Sequence, residues 1–363
     1  MMAITHIAST PDTVRWGTLP LPGDRPVATV ESDDILRIDT VSHEGLLEDQ
    51  GRDPLAFFHA QGVRDEDVLA DAIDIAERVE HPQGSGPHVI TRPIAVKDVH
   101  PGDWLAIDVL SLKPRVPYGV ISNRHGKGVL MGGLPRGRKT VSIFARAMEY
   151  QGRLQGVMRR SGTDAIETFR SGRTLRLPDP ADGDIVFPLA PFLGMIGVTP
   201  DTDEHLSTVP PGDFGGNIDI NLLVEGTRLY LPVFTEGAGL YVGDPHFAQG
   251  NGEVALTAFE ASLDATLRVR VVARDRFVRN FGPLHGPLVE TDDYLVPTGR
   301  ALRLDDALAD CTQEAIRLLG ACAGFDEKHA YAYLSAAVDF DISEAVDIQR
   351  GVHAKIRKRD IGR

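Results

Sequence analysis

The 363-residue chain has only two cysteines, Cys311 and Cys322. Eleven positions apart, they fit neither a disulfide framework nor a zinc ribbon, and a reduced, cytoplasmic setting is the simplest expectation. No apolar run approaches the roughly 20 residues that span a bilayer. The opening "MMAITHIASTPDTVRW" lacks a basic start followed by an apolar stretch, so no secretory leader is read there. Basic charge is also short, with a net charge of -14. That balance argues against nucleic acid and anionic membrane surfaces as partners and favours a neutral or weakly polar small molecule.

Several catalytic signatures are missing too. No Gly-x-Gly-x-x-Gly opens a helix, and Gly126-Lys127-Gly128 lacks the spacing and strand-to-helix setting of a phosphate loop. There is no Gly-x-Ser-x-Gly elbow, and neither cysteine sits in a loop beside a base as an amidase nucleophile would. A hydrolase built from this chain would therefore activate water. No organic cofactor is indicated.

What is present is β-rich. Thirty-seven glycines and 24 prolines are spread through short apolar runs. Asp103 to Leu112 reads as a strand launched from Pro101-Gly102. "RLYLPVFTEGAGLYVGD" reads as a hairpin with Thr235-Glu236-Gly237 near its tip. "EVALTAFEASLDATLRVRVV" reads as one long strand, or as two joined by a bulge with a face switch near Ala258. The pattern changes between Tyr294 and Leu304, which divides a β-rich part (1–298) from an α+β portion (299–363). The latter holds a helix capped by Asp305 and closing at Gly324, a second capped by Asp326, a strand "FDISEAVDI", and a basic tail. Both cysteines are expected as small apolar fillers on the first helix.

"VGDPHFAQGNGE", Val242 to Glu253, is the densest polar cluster. As a motif alone it reads as a hairpin loop of turn formers. Asp244-x-His246 also suits a divalent metal, and Glu253 suits a general base. Gly250 and Gly252 would allow a small ligand to approach the backbone closely. Upstream, Asn217 and Asp219 are two apart in a presumed extended segment, which places both on one face. His88 precedes a strand, where a solvated turn residue is the commoner case, and His43 and His125 are read the same way. The cluster lacks the His-x-His and His-Glu-x-x-His metal patterns.

"PFLGMIGVTP" followed by "GGNIDINLLVEGTRLYLPVFTEGAGLYVGDPHFAQGNGEVALTAFE" resembles the acetamidase/formamidase family, in the right order. The resemblance extends from "SGPHVITRPIAVKDVHPGDWLAIDV" to "AYAYLSAAVDFDISEAVDIQRGVHAKI", roughly residues 80 to 355. It implies a jelly-roll-like β-sandwich with an added α+β portion. It also implies homo-oligomers that release ammonia from formamide, acetamide or a related amide, with lactams as alternative substrates. Carried over by position, the family's polar string falls on Asn217, Asp219, Asp244, His246, Gln249 and Glu253, with His88 from upstream.

The expected mechanism gathers His88, Asp219, Asp244 and His246 around a divalent metal, zinc or alternatively calcium. Which of the four bind is left open. Glu253 acts as base, while Asn217, Gln249 or glycine N–H groups face the oxyanion. Two departures bear on the substrate. Arg92 replaces the glycine of a Thr-Gly-Pro, and would close the pocket or pair with a substrate carboxylate. Asn251 replaces an acid. The rival classes are a non-catalytic small-molecule-binding relative and a metal-dependent oxygenase. The first 80 residues carry no assigned role, with Glu31, Asp33 and Asp34 as their candidates to reach a site.

Overall fold

The computed structural model describes residues 3–161, 169–171, 174–176 and 179–363. The expected mainly β architecture is what it shows. Two large sheets face one another. One has nine strands in the order Ile4–Ile7, Ile35–Asp39, Leu263–Val272, Trp104–Pro114, Arg228–Pro232, Leu288–Glu290, Tyr294–Ala301, Arg350–Arg357 and Asp339–Ile342. The other has twelve, and its central run is Tyr118–Arg124, Phe259–Glu260, Leu240–Ala248, Phe192–Val198 and Gly215–Asn217.

Strand alternation builds the core between the sheets. In Leu263–Val272 the residues Leu263, Ala265, Leu267 and Val269 are fully buried, while the residues between them are half-buried. They share one apolar cluster with Phe192, Ile196, Leu240 and Val242 of the twelve-stranded sheet. Helices cover part of the nine-stranded sheet elsewhere. Trp104 stacks on Phe277 of helix Arg274–Phe281, with ring centroids 3.5 Å apart. Leu318 and Leu319 of helix Leu304–Ala323 join the same cluster.

Four sequence expectations need correction. The hairpin does not form, because Arg228–Pro232 and Leu240–Ala248 belong to opposite sheets. Between them Gly237, Ala238 and Gly239 all take positive φ (73°, 59° and 62°), which turns the chain across the sandwich instead of folding it back. Likewise Phe259–Glu260 and Leu263–Val272 are not one bulged strand but lie in opposite sheets. Phe259, Ala261 and Leu263 keep one parity because both sheets face the same core. The helix cap is at Arg303, so Asp305 stands in the first turn, where its charge still favours the N-terminal dipole. The basic tail is a strand, Arg350–Arg357, paired with Tyr294–Ala301 and Asp339–Ile342.

Other details agree. Gly324 closes the long helix in the left-handed conformation, and the Asp326 side chain accepts from His329 N at 3.0 Å. Cys311 is fully buried and Cys322 half-buried on that helix. Strand Tyr294–Ala301 runs through the 298/299 division, so the nine-stranded sheet is continuous across it.

Candidate active site

Asp244 and His246 lie within a strand, Leu240–Ala248, not in a loop. Leu240 and Val242 enter the core, as does Phe247 of the opposite parity. The face change falls at Asp244, whose φ is 51°. The pairing with Phe192–Val198 skips this residue, running Leu193↔Pro245 and then Met195↔Gly243. The unpaired position opposite is Gly194. A Cβ there would stand 2.5 Å from Asp219 Oδ1, 2.6 Å from Asp244 Oδ2 and 2.6 Å from His246 Cε1. The glycine is what leaves room for three polar side chains to meet.

Around them the chain assembles a cavity of about 360 Å³. His88 and Asn217 enter from the upstream segments, and Glu253 from a turn where its φ is 44°. Asp219 also has positive φ (48°), so the extended spacing expected for Asn217 and Asp219 does not hold, yet both line the cavity and are almost fully buried.

Among the cavity residues not anticipated from the sequence are His43, Glu260, Asp347 and Arg124. His43 Nδ1 lies 3.5 Å from Asp244 Oδ1, and Glu260 Oε1 lies 3.1 Å from His246 Nε2. Asp347 Oδ2 accepts from Asn217 Nδ2 at 2.6 Å. Behind them Glu44 accepts from Arg124 Nη1 at 3.0 Å and from Ser122 Oγ. The available signal was a charged residue set inside an apolar run, as in "VSHEGLL", "LTAFEAS" and "ISEAVDI", since burying such a group is costly unless it has a partner.

Other expected or candidate residues fall elsewhere. Arg92 is exposed, donates from Nε to Val14 O at 3.2 Å, and lines a separate hollow with Trp16, Asp24 and Glu80. Gly250 is exposed with nothing against it. Gly252 uses its backbone to hold the C-terminal segment, donating to Ser343 O and accepting from Ala345 N. Gln249 works in the same joint: its Nε2 donates to Asp219 O at 2.9 Å and Ser343 O at 3.1 Å. His125 is exposed and bound to Pro135 O. Glu31 pairs with Lys97, and Asp34 accepts from Ala3 N and Glu31 N, so neither acid belongs to the cavity wall, and Asp33 is exposed.

The electrostatics are those of crowded, dehydrated acids. Burial first, then Glu253 and Asp244, holds the Asp219 carboxyl well above its usual range. Glu253 is raised in the same way by burial, Asp347 and Glu260. Burial opposes ionisation of Asp244 too, but His246 and His88 outweigh it and hold this carboxylate well below the usual range. For His246 the Glu260 and Asp244 carboxylates overcome burial and raise it, whereas burial lowers His88 to about 4.

The donor set fits a metal. His246 Nε2 stands 3.1 Å from both Asp244 Oδ2 and Glu260 Oε1, yet makes a hydrogen bond to neither. His43 Nδ1, both Asp219 oxygens, Asp244 Oδ1 and Glu260 Oε2 are likewise buried without hydrogen-bond partners. Buried polar atoms are rarely left so, and ligand atoms that converge on a common cation account for it. Three overlapping triads supply such atoms within 4.8 Å of one another: His43, His88 and Asp244; Asp219, His246 and Glu253; Asp244, His246 and Glu260.

Residues 201–356 match the model of the Acetamidase/Formamidase family. The formamidase of Methylophilus methylotrophus is 29% identical over 195 residues, 46% of this chain and 47% of the relative. The acetamidase of Mycolicibacterium smegmatis is 32% identical over 203 residues, 46% of this chain and 49% of the relative. The chain thus spans about half the length of the curated relatives it matches. An acetamidase structure from Yersinia enterocolitica superposes with a TM-score of 0.72 at 22% identity, covering 100% of this chain and 94% of that one, which establishes the shared fold. Over residues 201–356 the chain is thus similar to the acetamidase/formamidase family, and it has the fold that this acetamidase structure also has.

Proposed function

We propose that the chain hydrolyses short carboxamides to carboxylate and ammonia, using water activated in the buried cluster. The observation that carries this reading is the convergence of His43, His88, Asp219, Asp244, His246 and Glu260, all but His88 with buried atoms left unsatisfied, where Gly194 leaves room for Asp219, Asp244 and His246. A divalent cation held there supplies positive charge and lowers the pKa of water towards about 7. Zinc suits the mixed imidazole and carboxylate donors, with calcium as the alternative.

The chain's own groups then divide the work. Asp244 and His246, with His43, His88, Asp219 and Glu260, would hold the cation and fix the position of water. Glu253, buried beside them, takes the proton of the attacking water as oxygen bonds to the amide carbon. It returns that proton to nitrogen as the C–N bond breaks, so that the carboxylic acid and ammonia leave, the acid then giving its proton to ammonia or solvent to become carboxylate. Asn217 keeps one N–H beyond its bond to Asp347, and a donor facing the developing oxyanion is typically worth about 10²–10³ in rate. Gln249 positions this machinery by tying the Asp219 turn to Ser343.

The same reading takes a neutral amide as partner, not nucleic acid or membrane, in keeping with the net charge of -14. It places the protein in the cytoplasm as a homo-oligomer. The test is ammonia release by purified, metal-analysed protein on a panel of primary amides; an intact, metal-loaded protein that releases none would overturn it.

A further inference from the structure

The cavity is larger than a short amide needs. Taking about 30 Å³ per heavy atom, the share of a liquid water, acetamide fills roughly 120 Å³. The cavity holds about 360 Å³. Besides the polar cluster and further polar residues such as Arg124 and Thr257, the wall carries six apolar side chains: Leu47, Pro87, Val209, Leu256, Val346 and Ile348.

Two of these side chains are held where backbone sterics oppose them. Ile348 has φ of 70° and Leu256 has φ of 126°. A β-branched residue in the left-handed region is a genuine outlier, and such strain gathers at ligand-facing positions. Ile348 is moreover 57% exposed, so burial of its own side chain does not explain its placement. Glycine would meet the backbone demand in either position more easily.

The charges near the wall narrow the ligand further. Glu48 is paired with His81 and Arg52, and Asp49 with Arg124, which leaves these acids committed. Lys127 is the wall cation without an ion pair among the described residues, and it stands against a large excess of carboxylates. Neither a cationic nor an anionic tail finds a better setting than an apolar one.

We infer that the site takes neutral carboxamides with an apolar acyl group of about four to eight carbons, seated against Leu256 and Ile348, in preference to acetamide. This rests on the amidase reading above and names the substrate class of that site. Filling an apolar pocket is worth about 10–200-fold per methylene at best.

The experiment measures kcat/KM for ammonia release from acetamide, butanamide, hexanamide and benzamide by the full chain. It is repeated on Ile348→Gly and Leu256→Gly, which suit the positive φ and so retain the fold. The expected result is a kcat/KM at least tenfold higher for hexanamide or benzamide than for acetamide. That ratio should fall at least threefold in each variant. If kcat/KM declines from acetamide along the series, or the ratio is unmoved in both variants, the inference is overturned while amide hydrolysis stands. Ammonia from none of the four overturns the amidase reading itself, and this inference with it.

Discussion

His43 Nδ1 and Asp244 Oδ1 face each other at 3.5 Å, both almost fully buried, although one belongs to the N-terminal segment and the other to the strand Leu240–Ala248. The first 80 residues therefore supply part of the site's inner wall. Burial opposes charging His43, but Asp244, Glu260 and Glu44 outweigh it and raise its pKa. Its ring packs edge-on to His88 at 5.2 Å, so the two imidazoles meet the same carboxylate from different directions.

Glu253→Gln keeps the size of the side chain and removes its basicity. As the proton-transfer group it should cost about 10²–10⁴ in kcat, the usual range for a general base. Thermal melting of the variant should stay at or above that of the wild type, because Gln keeps the volume and removes an acid crowded by burial, Asp347, Glu260 and Asp244. Unchanged ammonia release would remove Glu253 from the mechanism.

Gly194→Ala tests the crowding. Its added methyl meets Asp219, Asp244 and His246 within 2.6 Å, so the cluster must spread. Overpacking of this kind costs about 1–3 kcal/mol. We expect bound metal and kcat to fall together in a protein that still folds cooperatively, read by metal analysis and circular dichroism.

His353 offers a pH test away from the cluster. Burial lowers it from 6.5 to about 4, while Ser343 Oγ lies 2.8 Å from Nδ1. Between these values the unfolded chain binds the extra proton. The stability that goes with neutral His353 is therefore complete above pH 6.5 and lost as pH falls towards 4. The full span is on the order of 3 kcal/mol. Urea melts at pH 7 and pH 4 should show a smaller acid loss in His353→Gln than in the wild type.

Phe277→Ala removes the ring that stacks on Trp104 at 3.5 Å and packs against Tyr230. A fully buried Phe replaced by Ala costs about 3–5 kcal/mol. Chemical denaturation should report that loss, while ammonia release per folded molecule stays at the wild-type value, since this cluster lies apart from the cavity.

Much of the site was legible because its residues are close in sequence: Asn217 with Asp219, and Asp244 with His246 and Glu253, sit in the segment that carries the family resemblance. Alternation also exposed the core strands, since Leu263 to Val269 obey a strict period of two. What stayed hidden depends on long-range pairing. Arg228–Pro232 and Leu240–Ala248 look like a hairpin because nothing local distinguishes a tight turn from a crossing between sheets. Glu344 and Asp347 looked like strand residues, and long-range ties such as the bridge from Gly252 to Glu344 and the Asn217–Asp347 bond bring that segment to the cavity. Arg92 was misplaced for the converse reason. Its neighbour Thr91 turns inward and donates to Val242 N no proton but accepts one at 3.2 Å, leaving Arg92 on the outer side.

The central claim is that the cluster around Asp244 hydrolyses amides. The most direct measurement is ammonia release from a panel of primary amides by metal-analysed wild type and Asp244→Asn, side by side. The account predicts release by the wild type, and a loss of at least 10²-fold together with lost metal in the variant. Equal rates in the two proteins, or no release by the metal-loaded wild type, would contradict it.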